Sequence, residues 1–140
     1  MVTINKKERK IMKPLIRTMF VHGRMLDEDS VIESKGGYTV AAVPSENGNL
    51  RWGVTVCSDV DAFNKKKGRL IAEGRAKSNN KTFGSFFKGE WDVSVIENLS
   101  HMYDLMNEVG KHALAYVLED KKLRRAEKIR KLGLCFSDTL

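Results

Sequence analysis

The chain of 140 residues carries a formal net charge of +7, with 41% hydrophobic and 31% charged residues. That length suits one domain with a real core and is short for two, and the composition is ordinary for a globular protein. No apolar run approaches the roughly 18 residues that a membrane span needs. A sequence pI near 9.5 favours polyanionic or phosphate-bearing partners, with a solvated basic face as the plain alternative.

Residues 1–12 read as a flexible, weakly packed basic arm without the apolar stretch of a signal peptide, and so point to the cytoplasm. Cys57 and Cys135 have no framework around them, which favours reduced thiols. The run LIRTMFVH (residues 15–22) is rich in β-branched and large apolar side chains and predicts a strand. Gly36 and Gly37 introduce a second strand over 38–43, and the pair Asn47-Gly48 predicts a hairpin into a third over 51–57. Along that third strand Trp52, Val54 and Val56 share one face, and Arg51, Gly53, Thr55 and Cys57 the other.

Ser58, Asp59 and Asp61 are all competent N-caps, so a short helix is expected within residues 59–77. Gly68 and Gly74 each cost it about 1 kcal/mol relative to alanine. Close packing on the sheet, approach of a ligand, or a broken helix would each account for them. A polar loop over 78–89 carries Phe83, Phe86 and Phe87. Ser94 with Glu97 fits a capping box for a long C-terminal helix. Its seam runs Val95, Leu99, Met102, Met106, Val109, Ala113 and Tyr116, then thins to Leu123, Ala126 and Ile129 before a stop at Gly133. The seam can fold onto the sheet or meet its copy in a second subunit, and one long helix beside a small sheet favours a dimer or higher oligomer. The expected fold is a single α+β domain over residues 1–140: a small antiparallel sheet, one short helix and a long C-terminal helix.

Catalytic signatures are lacking. His22, His101 and His112 are far apart, neither cysteine has a partner at ligand spacing, and no metal site is expected. There is no G-x-S-x-G elbow, Walker loop or G-x-G-x-x-G fingerprint. Asp59, Asp61 and Glu73 with Lys77 include the residue types of a metal-dependent nuclease, but their order and setting suit caps and surface charges. No enzyme activity and no cofactor are expected.

Charge is the chain's most informative feature. Lys65, Lys66, Lys67, Arg69, Arg75 and Lys77 crowd one short helix after a strand, a fitting place to hold an anion. Lys65 and Arg69 share one helix face, whereas Arg75 lies round the helix unless a glycine kinks it. Arginine's planar fork suits bidentate phosphate binding. Phe83, Phe86 or Phe87 would stack on a base or plug the core. A second cluster, with Lys121, Lys122, Arg124, Arg125 and Lys128, goes all round the long helix and by default is solvated. Across a subunit interface Arg124 or Arg125 would complete a pocket begun by Arg69 or Arg75.

The run D-x-F-N-K-K-x-G-R-x-I-A-x-G-R over residues 61–75 resembles a signature of small bacteriophage proteins. A sheet followed by C-terminal helices is also similar to the Thoeris anti-defence sponge family. The resemblance is specific over that run and in outline elsewhere. It implies a non-enzymatic oligomer that sequesters a cyclic ADP-ribose-type immune signal in the host cytoplasm without cleaving it. The resemblance carries over no ligand contact residue by residue; the contacts expected are those that charge and aromatic placement single out, Lys65, Lys66, Arg69, Arg75, Phe83, Phe86, Arg124 and Arg125. The alternatives are a nucleic-acid-binding protein using the same basic surface, or an inhibitor that engages a host protein through its long helix.

Overall fold

The computed structural model describes residues 17–79 and 84–133. The expected N-terminal arm, Leu15, Ile16, Phe83 and Cys135 lie outside the described residues. Four strands, β1 (Met19–Leu26), β2 (Ile32–Pro44), β3 (Leu50–Ala62) and β4 (Lys88–Trp91), form one antiparallel sheet in the order β1-β2-β3-β4. A short helix α1 (Lys65–Lys77) lies between β3 and β4, and a long helix α2 (Leu99–Gly133) ends the described chain. The expected α+β architecture is the one observed. No described helix is long and apolar enough to cross a membrane.

The Asn47-Gly48 hairpin forms as its sequence predicts. Gly48 takes φ 86°, its N–H donates to the Ser45 carbonyl, and Val40 pairs with Val54 and Ala42 with Trp52. The alternation along β3 then sorts side chains between two helices on opposite faces of the sheet. Val40, Ala42, Trp52 and Val54 cluster with Ile96, Met102 and Met106 beneath α2. Tyr38 lies on that side too, with its ring against Gly23 and Gly110 and its hydroxyl donating to Asn107 Oδ1 at 2.6 Å. The other face is lined by small residues and carries α1: Gly68 sits on Thr39, and Gly53 sits under the Ala72 carbonyl.

Two helix starts differ from expectation. Ser58, Asp59 and Asp61 do not cap α1; they remain in β3, where Lys35 pairs with Ala62 and the Phe63 N–H donates to the Ser34 carbonyl. Strand pairing satisfies that backbone first, and Asn64 becomes the cap, its Oδ1 accepting from the Lys67 N–H at 3.0 Å. Nor does Ser94 open the long helix. It lies in a 3-10 turn (Val93–Val95) capped by Asp92, whose Oδ1 accepts from the Ser94 N–H. Asn98 then accepts from the His101 N–H at 2.8 Å, while His101 Nδ1 accepts from the Glu97 N–H at 3.1 Å. The arrangement is a variant of the capping box in which a histidine replaces glutamate and reaches back to the N–H of Glu97, one residue before the cap Asn98.

The middle of the apolar seam is core: Met102, Met106 and Ala113 are buried against the sheet. Its ends are not, for Val95, Leu99 and Tyr116 are exposed. Residues 121–131 of α2 are exposed throughout.

Candidate functional site

The site is built at the head of α1. Gly68, Ala72 and Ala76 are the buried residues of this helix. A Cβ at Gly68 would stand 2.5 Å from Thr39 Oγ1, so the helix axis lies unusually near the sheet. Gly74, by contrast, has nothing within 4 Å of where its Cβ would be. Close backbone packing explains the first glycine and does not explain the second. The helix runs unbroken from Lys65 to Lys77, and no kink brings Arg75 round to Lys65 and Arg69.

The first turn of α1 holds Lys65, Lys66 and Lys67 and no acidic residue. The helix macrodipole places partial positive charge there, and free backbone N–H groups add to it. Acidic side chains ordinarily occupy such a turn, and each cation in their place costs about 0.3–1 kcal/mol at low ionic strength. Arg69 is one turn further along. Glu73, the nearest acid of the same helix, is paired with Lys77 at 2.8 Å.

Next to this cationic turn, β1 contributes His22 and Arg24, which alternation puts on the α1 side of the sheet. His22 Nδ1 lies 2.8 Å from Thr39 Oγ1, and its ring meets Phe63 edge-on at 5.8 Å. Arg24 lies over the Phe63 ring at 4.6 Å and donates through Nη2 to the Glu33 carbonyl. Its Nε is buried with no hydrogen-bond partner among the described residues. Burial, then the nearby charges of Lys65 and Arg69, hold His22 below the usual histidine range. Unfolded chain therefore takes up a proton that the folded chain refuses. Stability contributed by neutral His22 is present above pH 6.5, the ordinary histidine value, and is lost as pH falls through it towards the folded value.

Between α1 and β3 opens a cleft of about 460 Å³. Hydroxyls of Thr39, Thr55 and Ser58 line it with Asn64 and Lys67, and Asp61 stands on it as an opposing charge. Cys57 also lines the cleft, its Sγ 3.3 Å from the Asp61 carbonyl. Neutral donors beside a cationic helix head can hold a phosphate-bearing group. Among the described residues, no three His, Cys, Asp or Glu side chains gather at metal-binding spacing.

The residues expected to bind ligand are divided by the sheet. Lys65, Lys66 and Arg69 stay together at the head of α1. Arg75 is half-buried elsewhere, donating through Nη1 to the Val54 carbonyl at 2.6 Å and lying over Phe87 at 5.3 Å. It braces the stretch where β3 passes beyond β4. Phe86 stacks on Tyr116 at 4.4 Å and 12°, and Phe87 meets the same ring edge-on. These aromatics therefore join the β4 edge to α2. Arg124 pairs with Asp120, and Arg124 and Arg125 line a groove with Met25 and Val60 on the α2 side. Within one chain they do not meet Lys65 or Arg69.

Sequence reasoning passed over His22, Arg24, Thr39 and Phe63 as members of this site. The available signal was the two-residue spacing of His22 and Arg24 along a strand. Neither a family model, nor a curated protein, nor a solved structure matches the chain.

Proposed function

We propose that the protein binds a phosphorylated nucleotide at the head of α1 and withholds it without chemical change. The observation that carries this is the uncompensated first turn, Lys65, Lys66 and Lys67 on the positive end of the helix dipole, with Arg69 above it. A fold that tolerates such repulsion has it relieved when an anion arrives. Lys65 and Arg69 hold phosphate oxygens in this reading, Lys66 and Lys67 add attraction, and the cleft hydroxyls accept or donate to the sugar.

The resemblance of residues 61–75 to phage proteins extends the proposal to a cyclic, ADP-ribose-type immune signal. The protein then acts in the host cytoplasm as an anti-defence sponge and works as a homo-oligomer. Purified protein is mixed with cyclic ADP-ribose and cyclic dinucleotides, filtered, and heated. Intact nucleotide released on denaturation supports sequestration, altered nucleotide indicates an enzyme, and no capture overturns the proposal. The exposed basic residues of α2 favour nucleic acid as a second reading. It requires affinity for long DNA or RNA that falls steeply with salt, whereas a pocket for one small nucleotide gives a shallow dependence.

His22 supplies an independent probe. Inorganic phosphate bound beside Lys65 and Arg69 offsets their charges and should raise the His22 pKa, read from its ring resonances in an NMR pH titration. A titration curve unmoved by phosphate takes the anion away from this side of α1.

A further inference from the structure

On the α2 side of the sheet, a groove of about 860 Å³ runs between β1, β3 and the second half of α2. Apolar Met25, Val60, Ala115 and Leu118 line it. So do Lys121, Lys122, Arg124, Arg125 and Lys128, against only Asp59 and Glu119. Lys121 is held by Asp59 and Arg124 by Asp120. Lys122, Arg125 and Lys128 have no ion pair among the described residues.

Met25 leads straight from this groove into the β1–β2 turn, whose chemistry is the converse. Residues 26–33 read LDEDSVIE, with four carboxylates and no cation. Leu26, Val31 and Ile32 are 56%, 58% and 61% exposed, so this tip does not cover the groove of its own chain. It is nonetheless held in one shape. Asp27 Oδ1 accepts the N–H groups of both Asp29 and Val31 at 2.9 Å, and Ser30 adopts φ 62° to close the turn. Ordering this tip on binding therefore costs little.

We propose that the groove is filled by the β1–β2 tip of a second copy of this chain, and reciprocally. Leu26, Val31 and Ile32 of one copy cover the apolar lining of the other, while Glu28 and Asp29 meet Lys122 and Arg125. Charge complementarity selects this occupant, because one chain carries both an acidic apolar knob and a basic apolar socket. Their adjacency matters too. Knob and socket share one end of the molecule, so a single two-fold axis there makes the contact twice. The inference rests on the homo-oligomer named above and is independent of the nucleotide.

Sedimentation velocity on the full chain tests it by charge exchange. Glu28→Lys with Asp29→Lys gives a chain basic at both surfaces, and Lys122→Glu with Arg125→Glu gives one acidic at both. All four residues are exposed, and circular dichroism verifies that each variant folds. Each variant alone is expected to associate at least about tenfold more weakly than the unaltered chain, because like charges face each other. An equimolar mixture of the two restores assembly, since both contacts of the mixed dimer again pair opposite charges. Variants that assemble as well as the unaltered chain place the interface elsewhere and overturn the inference while the oligomer stands. An unaltered chain that sediments as a monomer overturns both and leaves the groove to a partner of another kind. A mixture that stays monomeric also overturns the inference.

Discussion

Lys65→Gln combined with Arg69→Gln is expected to weaken nucleotide capture at least about a hundredfold, with the melting temperature unchanged or slightly raised. Each lost charge-assisted hydrogen bond to phosphate is worth about 1.5–3 kcal/mol, and two of them come to about two decades or more in affinity. The effect on stability has the opposite sign. Lys65 stands in the first turn of α1 with Lys66 and Lys67 and no acid, so its removal relieves about 0.3–1 kcal/mol of unfavourable interaction with the dipole. Gain in stability with loss of function is the signature of a charge cluster kept for a ligand. Arg75→Ala should do the reverse. It strips a donor from the carbonyl of buried Val54 at a cost of about 1–3 kcal/mol, plus its packing over Phe87, and leaves the head of α1 intact. Calorimetry and equilibrium dialysis on both variants separate the roles. Capture that survives the Lys65 and Arg69 exchange makes the first turn a solvated face and no more.

Gly53→Ala is expected to destabilise the fold by about 3 kcal/mol. The new methyl would lie 2.2 Å from the Ala72 carbonyl oxygen and 2.5 Å from the Ala76 nitrogen, both backbone atoms. No side chain can rotate away, so α1 as a whole must lift off the sheet. That displacement also carries Gly68 away from Thr39 and Lys65 away from His22, so capture is expected to fall with stability. Gly74→Ala is the control in the same element, because its Cβ meets nothing within 4 Å. It should stabilise by about 0.5–1 kcal/mol through helix propensity alone. Urea unfolding of the two variants gives both values. Equal effects would mean that α1 does not seat on Gly53.

Charge and alternation were legible because both are local. The Asn47-Gly48 turn and the split of β3 into Trp52/Val54/Val56 and Arg51/Gly53/Thr55/Cys57 follow from backbone geometry alone. The start of α1 was not legible. Ser58, Asp59 and Asp61 are good caps in isolation, but pairing of Lys35 with Ala62 holds that stretch extended and passes the cap to Asn64. Arg75 and Phe86 carried the right chemistry for a ligand, yet a long-range partner engages each. Those partners are the Val54 carbonyl and the Tyr116 ring, and no spacing rule reaches across such separations.

By itself, the sequence determined the class of the fold and the sign of the charge on its short helix. Period-two and helical patterns are written in consecutive residues, and three successive lysines repel one another in any context. Tertiary structure alone decided that α1 and α2 take opposite faces of the sheet. The small residues Gly53, Gly68, Ala72 and Ala76 admit one helix closely, while the large Trp52, Met102 and Met106 need the wider space beneath the other. That division assigns Lys65 and Arg69 to one side and Arg124 and Arg125 to the other, because a sheet lies between them.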